Sequence, residues 1–215
     1  MKKIIFTLVA LLSFFQQAVA VESNKDSAWY GGVDVGYSRV ESSAQETANV
    51  LVNIFGGAVT VLQNTGVPVG RLFAGYAINQ TYALELGYLR TGDVTQNIAG
   101  VSGGLVPYTG NANASVSGLE FSALIRPVIT NGWERFFIRA GGHNFDISTN
   151  VTLTGIGTAS AKTSISGSGL LIGIGYDTPI SHSLSCRSAY THYDKIGGDS
   201  SSYANIFTVG LVAKF

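Results

Sequence analysis

Charged residues make up only 12% of the 215 residues, and several of them interrupt apolar stretches at alternate positions. These are Asp34, Arg71, Glu85, Glu120, Arg126, Arg139 and Arg187. Glu85 and Glu120 are of the type that exchanges protons in acid and base catalysis, where two carboxyl groups act together. They are equally able to form ion pairs, for which Arg126 is a candidate partner of Glu85 and Arg139 of Glu120. Whether these carboxylates act in catalysis or form ion pairs depends on whether the fold places them in an open cleft or in a closed interior.

Other residues that could perform chemistry lack the spacing that such chemistry requires. The three histidines, His143, His182 and His192, are scattered and give no pair on one face that could hold a metal ion. The glycine-rich segment 167–169 is not followed by a helix, so it is not a nucleotide-binding loop. Cys186 is the only cysteine, which excludes an internal disulfide. We therefore predict a protein that is not an enzyme and that holds no metal ion or cofactor.

The carboxy-terminal residues 202–215 show what kind of element positions the charged residues. Phe207, Val209, Leu211 and Ala213 take one parity, whereas Thr208, Gly210 and Lys214 take the other. Strict alternation of this kind predicts a β-strand with one apolar face. The strand ends on Phe215, which has the apolar parity.

The same alternation recurs upstream and predicts eight strands. They cover residues 29–37, 71–78, 82–89, 119–125, 136–140, 170–176, 184–190 and 202–215. Short turns alternate with longer connections, which are 38–67, 91–117, 146–166 and 194–201. This asymmetry is typical of outer-membrane barrels, whose short turns face the periplasm. The predicted fold is all-β: an eight-stranded antiparallel up-and-down transmembrane β-barrel with short periplasmic turns and long extracellular loops.

The charged residues have the parity opposite to that of leucine, isoleucine and tyrosine on the same strands. A soluble sandwich or a lipocalin would also alternate, but its outer face would be polar. Apolar residues outside and charges inside require lipid around the barrel. Because the lumen of an eight-stranded barrel is only wide enough for side chains to fill, we favour a structural ion network over a regulated narrow channel or a catalytic pair. His143 and His192, high on their strands, are expected at the level of lipid headgroups.

The amino-terminal residues 1–20 predict a cleaved signal peptide. They contain, in order, Lys2 and Lys3, an apolar run at 4–15, and the small-residue pattern of Ala18, Val19 and Ala20. An uncleaved anchor is the alternative, but the run is shorter than the roughly 20 residues that a spanning helix needs. Cleavage after Ala20 would leave a short segment, 21–28, ahead of the barrel domain, 29–215. Acidic and basic residues number 13 each, so no basic excess indicates nucleic-acid binding.

Two of the long connections carry patterns of their own. The connection 146–166 reads as two strand extensions joined by a glycine turn at 155–157, which would continue the barrel wall above the membrane. The connection 38–67 contains two apolar arms, 50–55 and 58–62, which predict a hairpin. Each arm is shorter than a membrane-spanning strand of about 9–11 residues, so a ten-stranded barrel is the minor alternative. The hairpin would either project outward as an adhesive surface or pack over the barrel mouth.

Several stretches together resemble the OmpA-like family of eight-stranded outer-membrane barrels. They are the opening segment 29–32 with 36–38, the strand pair formed by 71–78 and 82–88, the stretch 184–194, and the terminal Phe215. The resemblance implies that the barrel assembly machinery reads Phe215. Full-length OmpA proteins continue into a peptidoglycan-binding domain, whereas this sequence stops at Phe215, so tethering to the cell wall is not implied.

These features predict an outer-membrane protein of Gram-negative bacteria without enzymatic activity. We expect a structural anchor that presents surface loops for interaction, in the manner of an adhesin, with a porin-like narrow channel for small or hydrophobic solutes as the alternative. The expected partners are outer-membrane lipid and lipopolysaccharide, the barrel assembly machinery, and a host or environmental ligand at the loops. Nucleic acid is not expected as a partner, and the protein is expected to be a monomer.

Overall fold

The computed structural model describes residues 29–40, 44–64, 66–127, 135–155, 158–200 and 202–215. The predicted signal peptide, with Ala18 and Ala20, and the segment 21–28 lie outside the described residues, as does most of the connection after Pro127. No helix in the described part of the chain is both long enough and apolar enough to cross a membrane.

The described residues form ten strands, an α-helix and a 3-10 turn. The strands are β1 (Trp29–Val40), β2 (Ala58–Gln63), β3 (Gly66–Ala77), β4 (Tyr82–Thr91), β5 (Val94–Val101), β6 (Pro107–Ile125), β7 (Phe136–Thr154), β8 (Ala159–Pro179), β9 (Leu184–Asp194) and β10 (Tyr203–Lys214). The helix α1 spans Ala44–Phe55, and the 3-10 turn spans Ile196–Gly198.

Eight of these strands close into a barrel in which every neighbouring pair is antiparallel. The ring runs β1, β3, β4, β6, β7, β8, β9 and β10, and the first and last strands pair from Tyr30 with Lys214 to Val40 with Ala204. The remaining strands, β5 and β2, add to the edge of β6 beyond the end of β4, where Val94 pairs with Ala114. The predicted eight-stranded barrel is thus confirmed, and neither extra strand enters the ring.

One end of the barrel is closed by short turns. Between β3 and β4, the side-chain oxygen of Asn79 accepts hydrogen bonds from the backbone N–H groups of Thr81 and Tyr82, at 2.9 and 2.8 Å. This is the local pairing through which asparagine favours turns. Between β8 and β9, Ile180 N–H donates to the carbonyl oxygen of Leu184 at 2.8 Å.

At the opposite end the sheet continues well beyond the ring. Strands β6 and β7 have 19 residues each and β8 has 21, about twice the 9–11 residues that a tilted strand needs to span a bilayer. The predicted strand extensions within 146–166 are therefore confirmed. The expectation of a loop over 91–117 is wrong, because β5 and the first half of β6 occupy most of that range and pair with each other.

The connection 38–67 also differs from its prediction, since its first apolar arm is helical. Helix α1 places Thr47, Leu51 and Phe55 at intervals of four residues, so they lie on one face. Leu51 is buried against Ile98 of β5 and Tyr108 of β6, with Phe55 packed beside them. The second arm is a strand, β2, but it pairs with β5, so the predicted hairpin of the two arms does not form. The helix forms because apolar side chains four residues apart lie on one helical face and can be buried together in this contact. In a β-strand, side chains alternate between two faces, so a hairpin arm would expose half of them.

The outer wall of the ring carries an apolar band. Exposed and buried positions alternate along β3 and β4, and exposed apolar residues occupy the outward parity. The middle of the band contains Leu72, Leu86, Phe121, Ile172 and Leu211, and aromatic residues mark the end with short turns: Trp29, Tyr76, Tyr82, Tyr176 and Phe215. An apolar band with aromatic girdles is the surface that a membrane barrel presents to lipid.

Two apolar clusters fill the lumen, one above the other. The lower cluster, towards the short turns, contains Tyr30, Phe73, Ala83, Leu124, Phe137, Ala189 and Val212. The upper cluster, towards the extended end, contains Val69, Leu89, Phe145, Leu171, Tyr193, Ile196, Ala204 and Ile206. Most of the charged residues singled out in the sequence lie between these two clusters, whereas Arg126 lies beyond the lower cluster, towards the short turns.

Candidate functional site

Arg71 is the centre of a charged layer across the lumen. Its guanidinium donates to Asp34 Oδ2 and Glu85 Oε2, each at 2.8 Å, and to Glu120 Oε1 at 2.5 Å. These carboxylates stand on β1, β4 and β6, so one side chain joins three strands. Antiparallel register places Asp34 directly opposite Arg71, and inward parity directs the two glutamates at the same point.

Arg187 on β9 connects the layer to the opposite wall. One terminal nitrogen donates to Glu85 Oε1 at 2.5 Å, while Nε and the other terminal nitrogen hold both oxygens of Asp177 at 2.7 and 2.9 Å. Strands β9 and β4 are not neighbours in the ring, so the contact between Arg187 and Glu85 crosses the lumen. The paired Asp177 lies directly across from Arg187 on β8.

The oxygens of Glu120 and Glu85 accept further hydrogen bonds. Arg139 on β7 pairs with Glu120, and its Nε donates to Ser122 at 2.9 Å. The Tyr193 hydroxyl donates to Glu120 Oε2 at 2.7 Å, and the Tyr30 hydroxyl donates to Glu85 Oε1 at 3.1 Å. Both oxygens of each glutamate therefore already accept hydrogen bonds from fixed donors. This geometry gives no support to an acid and base pair, which needs an oxygen open to substrate.

The position of Arg126 differs from the predicted pairing with Glu85. Glu85 lies opposite Ser122 in the β4–β6 register, so Arg126 is four residues further along, or roughly 13 Å at 3.3 Å per residue. It lies at the end with short turns, where it donates to Asp177 Oδ2 at 3.2 Å and is partly exposed. Arg71 and Arg187 hold Glu85 instead.

Charge is balanced across the layer and its neighbour Arg126. Among the described residues, the layer together with Arg126, which pairs with Asp177 from the side with short turns, contains four guanidinium groups and four carboxylates: Arg71, Arg126, Arg139, Arg187, Asp34, Glu85, Glu120 and Asp177. Removing charges from water costs several kcal/mol per ion, and only close pairing offsets this. Aromatic faces add to the pairing, since the Arg71 guanidinium lies 4.2 Å from the Phe73 ring centroid and Arg187 lies 4.6 Å from that of Phe137. The paired side chains occupy the lumen at this level.

Three members of the layer were not identified from the sequence: Asp177, Tyr30 and Tyr193. Asp177 has the inward parity of β8, which was a usable signal, but its place beside Pro179 suggested a turn. Tyrosines occur on both faces of the barrel, so their sequence position alone does not show which of them donate to carboxylates.

His143 lies inside the barrel and not at the level of lipid headgroups, so that expectation is wrong. Its ring stacks on Phe145 with centroids 4.2 Å apart, and Nε2 donates to the carbonyl oxygen of Asp194 at 2.8 Å. His192 faces outward and contacts Asn205, with 2.8 Å between Nδ1 and Oδ1. The part of the chain that the structure describes contains no group of three metal-ligating side chains.

Phe215 lies at the rim formed by the amino- and carboxy-terminal strands. Its backbone N–H donates to the carbonyl oxygen of Trp29 at 3.1 Å, and its ring is exposed. The phenyl ring of Phe215 is therefore accessible at the end of β10. Recognition of Phe215 by the assembly machinery stays a prediction.

A closed antiparallel ring with an apolar outer band and a neutralised charged interior defines a transmembrane β-barrel of the outer-membrane type. The profile of the OmpA-like transmembrane domain matches residues 24–215. The chain belongs to this family, and it is a protein of the Gram-negative outer membrane, as predicted.

The chain is similar to several solved structures at low sequence identity. OprG from Pseudomonas aeruginosa is 11% identical with a TM-score of 0.46, and the match covers 88% of this chain and 97% of that one. Ail, the attachment invasion locus protein of Yersinia pestis, in complex with the heparin analogue sucrose octasulfate, is 12% identical with a TM-score of 0.44, covering 87% and 99%. Neisserial surface protein A is 13% identical with a TM-score of 0.41, covering 88% and 98%. No curated protein matches the chain.

Proposed function

We propose that the protein is a non-enzymatic surface anchor whose barrel holds a rigid interaction surface above the membrane. The observation that carries this proposal is the extension of the sheet beyond the ring. Outward residues of β8 change from apolar to polar along the strand: Leu170, Ile172 and Ile174 lie in the band, and Lys162, Ser164, Ser166 and Ser168 lie beyond it. The outer half of this wall therefore suits water and not lipid.

The extension is ordered by its own contacts, which favours a surface of fixed shape. Helix α1 is seated on β5 by Leu51, and its Thr47 hydroxyl donates to Gln96 Oε1 at 3.0 Å. At its carboxy-terminal end, the carbonyl oxygen of Phe55 accepts a hydrogen bond from Gly103 N–H at 2.9 Å. This last contact ties the helix to the connection between β5 and β6.

Three exposed apolar residues lie close in the chain to the two partners of that contact, Ile54, Leu105 and Val106, and we call them the apolar tip. Leu105 is 83% exposed and has φ of 60°, a left-handed conformation that costs a leucine roughly 1–2 kcal/mol. Ile54 is 65% exposed. Exposed apolar residues and local backbone strain both concentrate at binding surfaces. We assign the apolar tip as the contact region for a host or environmental ligand.

Adhesion of whole cells tests the proposed function. A deletion strain is complemented with the wild-type gene, with a tip variant carrying Ile54→Ser and Leu105→Ser, or with Leu62→Ser. Leu62 is the matched control, because it is an exposed leucine on β2, away from the tip. Cells carrying the tip variant should adhere to cultured epithelial cells as poorly as the deletion strain, and Leu62→Ser cells should adhere like wild type. Wild-type adhesion by the deletion strain would contradict the proposal.

A narrow channel is the second candidate, because cavities lie on both sides of the charged layer. One of about 300 Å³ lies on the extended side and one of about 530 Å³ on the side with short turns, where it includes Arg126 and Arg187. Conduction would require the charged layer between them to open. Conductance of the purified protein in planar bilayers separates the candidates, since an anchor with a closed charged layer should give no steady current at neutral pH.

A further inference from the structure

The upper cavity is enclosed by the extended end of the barrel and by the elements packed over it. Its lining combines barrel residues such as Leu89, Phe145 and Ile206 with Thr47 of α1 and Gln96 of β5. The helix and the added strands are therefore part of its wall. A bare eight-stranded ring would lack that part of the enclosure.

The chemistry of the lining is uniform. Among the described residues, those that line it are apolar or uncharged polar, with no aspartate, glutamate, lysine, arginine or histidine. The polar members lie mainly towards the rim, where Gln96 donates to Gln63 Oε1 at 2.9 Å and accepts from Thr47. An apolar interior with a few hydrogen-bonding groups is the usual composition of a small-molecule site.

The cavity has a closed floor. Leu89, Phe145 and Ile206 belong to the upper apolar cluster, and beneath it Tyr193 donates to Glu120 of the charged layer. A molecule that enters from outside would be held and not passed on. The volume of the cavity limits the size of the ligand. An apolar cavity of about 150 Å³ binds benzene, so the cavity of about 300 Å³ is large enough for a molecule with two fused rings.

We propose that this cavity is a dead-end binding site for an uncharged, mainly apolar small molecule with one hydrogen-bonding group, of the class of bicyclic aromatic alcohols. Such a molecule would place its rings against the upper apolar cluster and its hydroxyl among the amides and hydroxyls of the rim. The described lining residues carry no charge, which disfavours organic anions of the same shape, since a buried anion without a partner is strongly destabilised.

Methyl NMR of the full chain in lipid nanodiscs tests the site, with 1-naphthol as the probe and 1-naphthoate as its charged counterpart. Three isoleucines line the cavity, Ile147, Ile196 and Ile206, and three face lipid, Ile138, Ile172 and Ile174. The cavity methyls should shift saturably with 1-naphthol, whereas the lipid-facing methyls should shift only in proportion to the probe dissolved in the bilayer. Naphthoate should produce no saturable shift.

Two alanine substitutions on β6 give a matched pair. Ala114 lines the cavity and Ala123 has the outward, lipid-facing parity. Ala114→Phe should weaken 1-naphthol binding about tenfold or more by filling the site, and Ala123→Phe should leave it within about twofold. If Ala114→Phe does not fold, Val116→Phe fills the same cavity.

Three results would overturn the proposal. They are equal behaviour of cavity and lipid-facing methyls in the wild type, full binding by a folded cavity-filling variant, and saturable binding of naphthoate as tight as that of 1-naphthol. The first two would remove the site, and the third would remove the assigned class of ligand. None of them depends on whether the apolar tip binds a cell surface.

Discussion

The charged layer and the extracellular extension are built partly from the same strands, β6, β7 and β8. They place their polar side chains on opposite faces of the sheet. Inside the ring, polar groups are turned inward and matched one against another, as when Arg71 joins three carboxylates. In the extension, polar groups face outward to water and the buried side is apolar, with Leu51 packed on Ile98 and Tyr108. One strand thus reverses its polarity along its length because its surroundings change from lipid to water.

The two regions should also differ in how they lose structure. The layer crosses the lumen and joins β1, β3, β4, β6, β7, β8 and β9, so its loss affects the whole ring. Beyond the continued pairing of β6, β7 and β8, the extension depends on a buried cluster of three residues and on the edge pairing of two short strands. Proteins open locally where few apolar contacts are buried. We therefore expect the extension to open without the barrel.

The largest expected effect comes from removing the shared cation. Arg71→Ala leaves Asp34, Glu85 and Glu120 with less compensation and should destabilise the barrel by about 3–5 kcal/mol. Arg39→Ala is the control, because Arg39 is an exposed arginine on the same strand as Asp34, and it should change stability by less than about 0.5 kcal/mol. Urea unfolding in lipid vesicles measures both, and equal effects would refute a stabilising layer.

A somewhat smaller effect should mark the boundary between the lipid band and the extension. Ile172→Arg places a charge in the band and should cost about 2–4 kcal/mol, whereas Ser164→Arg, on the same strand and the same parity, should cost about 0–1 kcal/mol. The same unfolding titration compares them. If both variants were tolerated equally, the two halves of β8 would not differ in their surroundings.

A substitution at inward-facing Gly210 would not be a neutral control for the arginine substitution in the lipid-facing band. A Cβ at this position would lie 2.1 Å from the carbonyl oxygen of Val33 and 2.2 Å from Asp34 Oδ1. Gly210→Ser is therefore expected to disturb the charged layer. Its inward parity alone would instead suggest that a small polar side chain is tolerated there.

Leu51→Ala should separate local from global stability. It removes the buried contact of α1 and should cost about 2–3 kcal/mol within the extension, so amide hydrogen exchange of Ala44–Phe55 should accelerate while the ring strands keep their protection. Leu89→Ala, at a buried position of the upper apolar cluster, should instead lower protection throughout the barrel. Uniform loss of protection in Leu51→Ala would show that the two regions unfold together.

The smallest expected effect is a gain. Leu105→Asn should stabilise the connection between β5 and β6 by roughly 0.5–1 kcal/mol, because asparagine adopts the left-handed conformation more readily than leucine. Slower hydrogen exchange of Ser102 and Val106 would report it. Leu62→Asn, on strand β2, should bring no such gain, and an equal gain there would point to exposure and not backbone strain as the cause.

Alternation in the sequence was enough to predict the ring and the direction of its side chains. Leu72, Leu86 and Leu211 lie outside, and Arg71 and Glu85 lie inside, because side chains of a strand point alternately to its two faces and each face meets a different medium. The two-residue periodicity therefore carries both the fold and the polarity of its interior. It also identified Asp34, Glu120, Arg139 and Arg187 as inward residues.

Pairing partners and the structure of the extension were decided only by the closed tertiary fold. Parity shows which face of the sheet a residue is on, but it does not show the position of the residue along the barrel axis. Arg126 was therefore matched to Glu85, although it lies roughly 13 Å further towards the short turns. Asp177 pairs with Arg187 because β8 and β9 bring them opposite each other. Helix α1 exists because β5 and β6 supply an apolar surface for Leu51, and that surface forms only when residues far apart in the chain are paired.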